Sequence, residues 1–297
     1  MEPIAFAKLS GAGNDFVIIN NRQSIIPKNE ADFVRKVCAR RVSVGADGLL
    51  LVESSDVADF KMRYFNSDGS EVETCGNGAR CIARFAYIEK IVPSSEMKFE
   101  TRAGIYSAKV INDTVKLRMG DATGMRLDLP LTLSDGPHTV SFINTGVPHV
   151  VFFVDDLKKA DVVRMGRETR YHKDFQPEGT NANFARMRER KPQFRDKGTR
   201  GQGQSLFPGF SELDIRTYER GVEDETLACG TGCIAAGIIA AAMGKAESPI
   251  VAHTRSGYPL RIYFALNSQG AKEVFLEGDA RMVCRGYLLK DSWSYGA

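Results

Sequence analysis

Two stretches decide the architecture: YFNSDGSEVETCGNG, residues 64–78, and its echo YERGVEDETLACGTG, residues 218–232. In each, the cysteine follows the tyrosine by eleven positions, and Cys-Gly-x-Gly closes the stretch. An apolar run at helical spacing comes next, ARCIARFAYIEK in the first case and CIAAGIIAAAMGK in the second. Matched segments then begin at Thr101 (TRAGIYSAKV) and Thr254 (TRSGYPLRIY), 26 and 25 residues beyond Cys75 and Cys229. Upstream, KLSGAGNDFVIIN parallels FINTGVPHVVFFV, which is read as setting Asn14 opposite His149. Repeats this long are not solenoid units, so a duplicated pair of halves facing across a cleft is expected.

On that reading the second half is longer between its landmarks, and the excess falls in RMRERKPQFRDKGTRGQGQSLFPG, residues 186–209. Rich in Gly, Pro and basic residues, it reads as an exposed, solvated loop. Runs such as FVIIN, KMRYF, VKLRM, VVFFV, ELDIRTY and LRIYFAL read as strands. Helices are expected at 32–41, after each cysteine and near 157–168. The fold class follows as α+β: two duplicated halves, each a mostly antiparallel, barrel-like sheet around a central helix. The divisions expected are 1–124 with Cys75, 125–280 with Cys229, and a 281–297 tail returning to the first half.

The bulk numbers exclude several classes. The 297 residues are 43% hydrophobic and 26% charged, with 40 basic against 37 acidic residues and a formal charge of +3. No strong field points to nucleic acid or an anionic membrane. The longest apolar stretch, CIAAGIIAAAMG at 233–244, is too short to span a bilayer. MEPIAFAKLS lacks the basic flank and apolar run of a signal peptide, so a cytoplasmic protein with six reduced cysteines is expected. A small-molecule amino acid is the expected partner, with a homodimer the assembly left open.

A cysteine at a helix start sits beside amides with no intrahelical partner and a partial positive charge. The expectation is a thiol pKa drawn toward neutrality and a glycine-lined cradle for a carboxylate. Two such elements could hold one carboxylate and set a thiolate and a thiol on opposite faces of its carbon. Each cysteine would then be a base in one direction and an acid in the other. Asn77 and Thr231 could cap their helices or touch the ligand. Cys38, Cys81, Cys233 and Cys284 read as small inert packing residues. His138, His149, His172 and His253 do not stand at zinc-ligand spacing, Cys-x-x-Cys is absent, and Gly11-Ala12-Gly13 lacks the full dinucleotide fingerprint.

SGAGNDF (10–16), GADGLLLVE (45–53), YFNSDGSEVETCGNGARC (64–81), GTNANF (179–184) and ERGVEDETLACGTGC (219–233) closely resemble the diaminopimelate epimerase family, in order along nearly the whole chain. The resemblance implies interconversion of LL- and meso-diaminopimelate without pyridoxal phosphate or any other cofactor, serving lysine and peptidoglycan synthesis. It implies that Cys75 and Cys229 are the acid/base pair. Gly76, Asn77, Gly230 and Thr231 would form the carboxylate cradle, and Asn14, Asn66, Asn181 and Arg220 would be substrate ligands. His149 and Glu219 would adjust the protonation of the cysteines. Taken alone, Asn14 and Asn66 read as turn residues, Glu219–Arg220 as a surface ion pair and His149 as structural. The chain departs from the family at Val147, where Asn is common, and in the length of 186–209. A racemase of another amino acid and a noncatalytic amino-acid binder stay open as alternatives.

Overall fold

The computed structural model of the chain describes residues 2–73, 75–189 and 209–296. The chain forms two compact units, Met1–Arg118 with Glu277–Ala297, and Met119–Leu276. In the first, the order is β1 (Ile4–Gly11), β2 (Asn14–Asn20), α1 (Glu30–Cys38), β3 (Gly48–Glu53), β4 (Phe60–Asn66), β5 (Glu71–Val72), α2 (Gly76–Ile88), β6 (Glu96–Thr101), β7 (Gly104–Ile111) and β8 (Thr114–Arg118). The second has β9 (Thr123–Leu133), β10 (Gly136–Asn144), β11 (Pro148–Phe153), α3 (Val162–Arg170), β12 (Asn181–Met187), β13 (Ser211–Glu219), β14 (Asp224–Thr226), α4 (Gly230–Ala242), β15 (Ile250–His253), β16 (Pro259–Asn267) and β17 (Gly270–Asp279). The chain re-enters the first unit at Glu277, within β17, and continues there as β18 (Arg281–Leu288).

The duplication is written in the strand pairings. In the first unit β1–β2 is antiparallel, β2–β3 parallel, β3–β4 and β4–β5 antiparallel, and β4–β6 parallel. In the second, β10–β11, β11–β12, β12–β13, β13–β14 and β13–β15 repeat that series of directions. Parallel neighbours need a crossover, and a helix supplies each one. α1 links β2 to β3 and α3 links β11 to β12; α2 and α4 fall between β5 and β6 and between β14 and β15. Even the flanking strand is matched, since β1 pairs with β18 as β10 pairs with β9.

Each cysteine-led helix is wrapped by its own sheet. α2 packs on β1, β2, β3, β4, β7 and β8, and α4 on β10, β11, β12, β13, β15 and β16. α4 (GTGCIAAGIIAAA) carries no polar face, as an enclosed helix requires, and nine of its residues are buried. The outer helices are capped by side chains and amphipathic. Asn29 accepts from Asp32 N at the start of α1, and Asp161 accepts from Arg164 N at the start of α3. Those caps explain the shift of both helices from the expected 32–41 and 157–168. α1 covers a core with Phe33, Val37, Leu49, Leu51 and Trp293; α3 covers one with Phe152, Phe184, Met165 and Tyr218.

Two expectations are corrected. The hairpins pair Gly11 with Asn14 and Asn144 with Pro148, so Asn14 matches Pro148 and His149 stands one residue further on. Ala12 and Gly13 both have positive φ (51° and 93°), which suits a two-residue hairpin and accounts for Gly13, whereas a Cβ at Gly11 would stand 3.0 Å from Cys81 Sγ. Cys284, expected in a packed interior, is exposed on β18, as are Val283 and Arg285 on either side of it. Cys38, Cys81 and Cys233 are buried. Of the expected loop 186–209, residues 190–208 lie outside the described residues. At its near end Arg186 and Arg188 reach Asp214 at 3.4 and 2.5 Å. No helix is long and apolar enough to cross a membrane among the described residues.

α3 meets β13 at closest range through Gly166, where an added Cβ would stand 2.3 Å from Tyr218 Cβ and 2.6 Å from its Cγ. Gly166→Ala should destabilise the protein by about 1–3 kcal/mol through overpacking, beyond the ~1 kcal/mol that alanine returns to a helix. Gly120→Ala, where an added Cβ meets nothing within 4 Å, should be close to neutral. Urea denaturation of both variants checks this; equal midpoints would refute the close-contact account.

Candidate active site

Cys75 and Cys229 occupy the N-cap positions of α2 and α4, each in extended backbone (φ −147°, ψ 121° and φ −114°, ψ 108°). The first intrahelical bonds run from Ala79 N to Cys75 O and from Cys233 N to Cys229 O, at 2.7 and 3.0 Å. The amides of residues 76–78 and 230–232 precede those bonds, so no helical carbonyl is available to them. At Gly76 an added Cβ would meet nothing within 4 Å. Gly230 is closed on one side by Leu276, 2.8 Å from such an atom.

Around Cys75 the first unit builds an oriented chain of side chains. Arg80, wholly buried in the first turns of α2, donates from Nη2 to Asn77 Oδ1 at 2.8 Å. Asn77 then donates from Nδ2 to Asn14 Oδ1 at 2.5 Å, and Asn14 donates to Asp47 Oδ2 at 3.2 Å. A guanidinium can only donate and a carboxylate only accepts, so both amides are locked in one orientation. Arg40 and Lys8 hold the acidic end, Arg40 pairing with Asp47 at 2.8 Å and both with Asp15 at 2.6 and 2.9 Å. Asn66 accepts from the Tyr64 hydroxyl at 2.8 Å. Burial first, and then the negative charge that Cys75 can carry, push the Tyr64 phenol up, which keeps it a neutral donor. Asn14, Asn77, Asn66 and Cys75 therefore belong to one neighbourhood. Arg80, Asp47 and Tyr64 were not expected there; the conspicuous signal was an arginine inside the apolar run of α2.

Around Cys229 the second unit is built differently. Cys229 is buried, with its sulfur 3.5 Å from Thr231 Oγ1. The thiol is pushed well above its ordinary value, by burial first and by the Glu219 charge second. The expected drop toward neutrality is thus overturned at Cys229: removal from water outweighs the helix end. Burial likewise raises the Glu219 carboxyl. Asn181 donates to Pro148 O at 3.0 Å and accepts from Arg220 N at 2.8 Å, while the Arg220 guanidinium holds Glu178 O at 2.8 Å. His149 is wholly buried, and its pKa falls to about 3 through burial first and the Arg220 charge second. The imidazole is therefore neutral across the physiological range. Asn183 and Thr217, also not expected, lie against the start of α4, and Asn183 stands 3.1 Å from the ring's Nδ1. No group of three or more His, Cys, Asp or Glu forms a metal cradle among the described residues.

A profile of diaminopimelate epimerase matches residues 6–125 and 141–283. The chain belongs to the diaminopimelate epimerase family. It is 41% identical to the diaminopimelate epimerase of Aquifex aeolicus, over 98% of this chain and 99% of that one. With the Archaeoglobus fulgidus family member it shares 40% identity over 86% and 87%. Solved structures show the same fold at lower identity. One is a Bacillus anthracis phenazine biosynthesis protein of the PhzF family (TM-score 0.68, 15% identity, 97% of this chain and 100% of that one). Another is a hydroxyproline epimerase of Agrobacterium vitis holding trans-4-hydroxy-L-proline (0.63, 13%, 99% and 97%).

Because the thiolate is the species that alkylates, a raised pKa slows the reaction at a given pH. Iodoacetamide at pH 8 should modify exposed Cys284 at least about tenfold faster than Cys229. Glu219→Gln, which takes away the nearby negative charge, should accelerate labelling of Cys229. Peptide mass spectrometry over a time course checks both; equal rates at Cys229 in the two proteins would remove Glu219 as a cause of the shift.

Proposed function

We propose that this chain interconverts LL- and meso-diaminopimelate by two-base proton transfer between Cys75, Cys229 and the α-carbon, with no pyridoxal phosphate. One cysteine, as thiolate, takes the α-hydrogen as a proton and becomes a thiol. The other, as thiol, gives a proton to the opposite face and becomes a thiolate, so the centre inverts and net charge is unchanged. The observation that carries this reading is that two halves with different polar surroundings both retain Cys-Gly-x-Gly at the start of an enclosed helix.

The supporting chemistry follows from the parts. Amides at a helix start, which no helical carbonyl takes up, favour the carboxylate beside the reacting carbon and the negative charge that develops there. A buried thiol such as Cys229, held protonated, suits the donor at the start of a turnover, with Cys75 as the base in that direction. Neutral His149 is a hydrogen-bond donor rather than a competing cation. Asn14, Asn66, Asn181 and Arg220 serve as substrate ligands, several of them at the distal amino-acid end, where amides match a zwitterion and a guanidinium matches a carboxylate. Val147 offers no polar contact there.

Uptake of deuterium from D₂O into the α-position of diaminopimelate, with proline as a comparison substrate, tests the proposal. Wild-type protein should exchange and invert diaminopimelate. Cys75→Ala and Cys229→Ala should each lose at least about 10³-fold in inversion while retaining their circular dichroism. Full inversion by either variant would end the two-base reading, and exchange into proline alone would end the substrate assignment.

A further inference from the structure

Beneath the first turn of α4 lies a buried polar cluster in which two residues not yet given a role stand with His149. Asn183 on β12 and His149 on β11 are both fully buried, and Thr217 on β13 is nearly so. Asn183 Nδ2 donates to Val150 O at 2.9 Å and stands 3.1 Å from His149 Nδ1. Thr217 Oγ1 lies 3.0 Å from Asn183 Oδ1. A backbone carbonyl only accepts, so the atom facing Val150 O must be the amide nitrogen. The opposite atom is then the carbonyl oxygen, to which the threonine hydroxyl donates. An amide nitrogen has no lone pair to offer, so the ring atom facing it, Nδ1, must be the acceptor. The imidazole proton is thereby placed on Nε2.

The Cys-Gly-Thr-Gly motif is part of the same construction. A Cβ at Gly232 would stand 2.3 Å from Asn183 Oδ1 and 3.2 Å from Thr217 Oγ1, so the second glycine makes room for the amide under the helix. At the matching glycine of the first unit, Gly78, the neighbour is Leu50, 3.3 Å from such an atom. A polar cluster there is not a requirement of the fold. The charged group acting on His149 is Arg220, which opposes a second proton on the ring.

We infer that Asn183, oriented by Val150 O and Thr217, is a positioning residue that fixes His149 as the neutral Nε2–H tautomer and makes it an obligate hydrogen-bond donor during proton transfer. The inference deepens the proposed epimerase reading and rests on it for the word catalysis, but the tautomer itself is observable without substrate. His149 Nε2 is buried and bonds no other group among the described residues, so a switch of tautomer would exchange donor for acceptor at that position.

Protein carrying ¹⁵N-labelled histidine tests this through two-bond ¹⁵N–¹H spectra of the His149 ring. Wild-type spectra should show an unprotonated Nδ1 and a protonated Nε2 between about pH 5 and 9. Asn183→Asp replaces the donor by an acceptor, so the proton should move to Nδ1 or both nitrogens should be protonated. A new ionisation should enter the pH profile, and kcat should fall about 10²-fold with a smaller change in KM. Thr217→Ser keeps the hydroxyl and should keep both the tautomer and kcat; Thr217→Val should lower kcat and broaden or mix the ring signals. If Asn183→Asp fails to fold, the wild-type spectra and the Thr217 pair decide. A wild-type ring protonated on Nδ1 would overturn the inference, as would an unchanged kcat in a variant whose tautomer has switched. The predicted wild-type tautomer in a protein that fails to invert diaminopimelate would sink the functional reading while upholding the role of Asn183 at His149.

Discussion

A helix enclosed by its own sheet has a start from which water is partly withdrawn, and the first three amides of that start have no partner inside the helix. Much of the local design answers that constraint. The strand before the helix delivers the chain in extended form, and an N-cap cysteine with its following glycine keeps side chains small where the amides emerge. A serine or aspartate at the cap would bond those amides itself, closing the end to an anion. Cysteine is a weaker acceptor than either, so the Gly232 amide that meets the Cys229 sulfur is held less firmly, and it brings a titratable sulfur within the field of the helix start.

Much of this was legible in sequence because it is local or periodic. The paired Tyr-to-Cys interval located both central helices, and the lack of any polar residue in CIAAGIIAAA matched a helix buried all round. Alternating runs placed the strands. What could not be read was pairing at a distance. Arg80 lies in an apolar run, three residues after Asn77 on the same helix, and only the fold brings Asp279 to it, through its main-chain oxygen at 3.4 Å from Nε. Asp47 needs the parallel β2–β3 register to meet Asn14, and Asn183 needs the β11–β12 register to lie beside His149. The Cys229 pKa was misjudged for the same reason: a helix end can be seen in a sequence, whereas the depth at which it is buried cannot.

Divergence between the halves has been selective. Strand directions, crossover helices and Cys-Gly-x-Gly match, but the polar support behind each cysteine does not. In the first unit a chain runs from Arg80 through Asn77 and Asn14 to Asp47, with a positive group at one end and a negative group at the other. In the second, neutral Asn183 and Thr217 sit beneath the helix and His149 carries no charge. The first arrangement orients amides by ions. The second orients an imidazole by an amide.

This difference bears on how a formally symmetric reaction is run by an asymmetric pair. In the proposed two-base inversion one sulfur is charged and the other protonated, and whichever begins as base ends as acid. Identical surroundings would leave the two states equal in the free protein and bind either stereoisomer alike. Here Cys229 is driven toward the thiol by burial and by Glu219, so removing its proton costs more than for a solvated cysteine. A carboxylate buried enough to have its own pKa raised is itself adjustable: if Glu219 becomes neutral or pairs with an ammonium group on the substrate, its contribution against the Cys229 thiolate is lost. The substrate can in this way supply the charge that lets Cys229 act as base, which ties thiolate formation there to an occupied site.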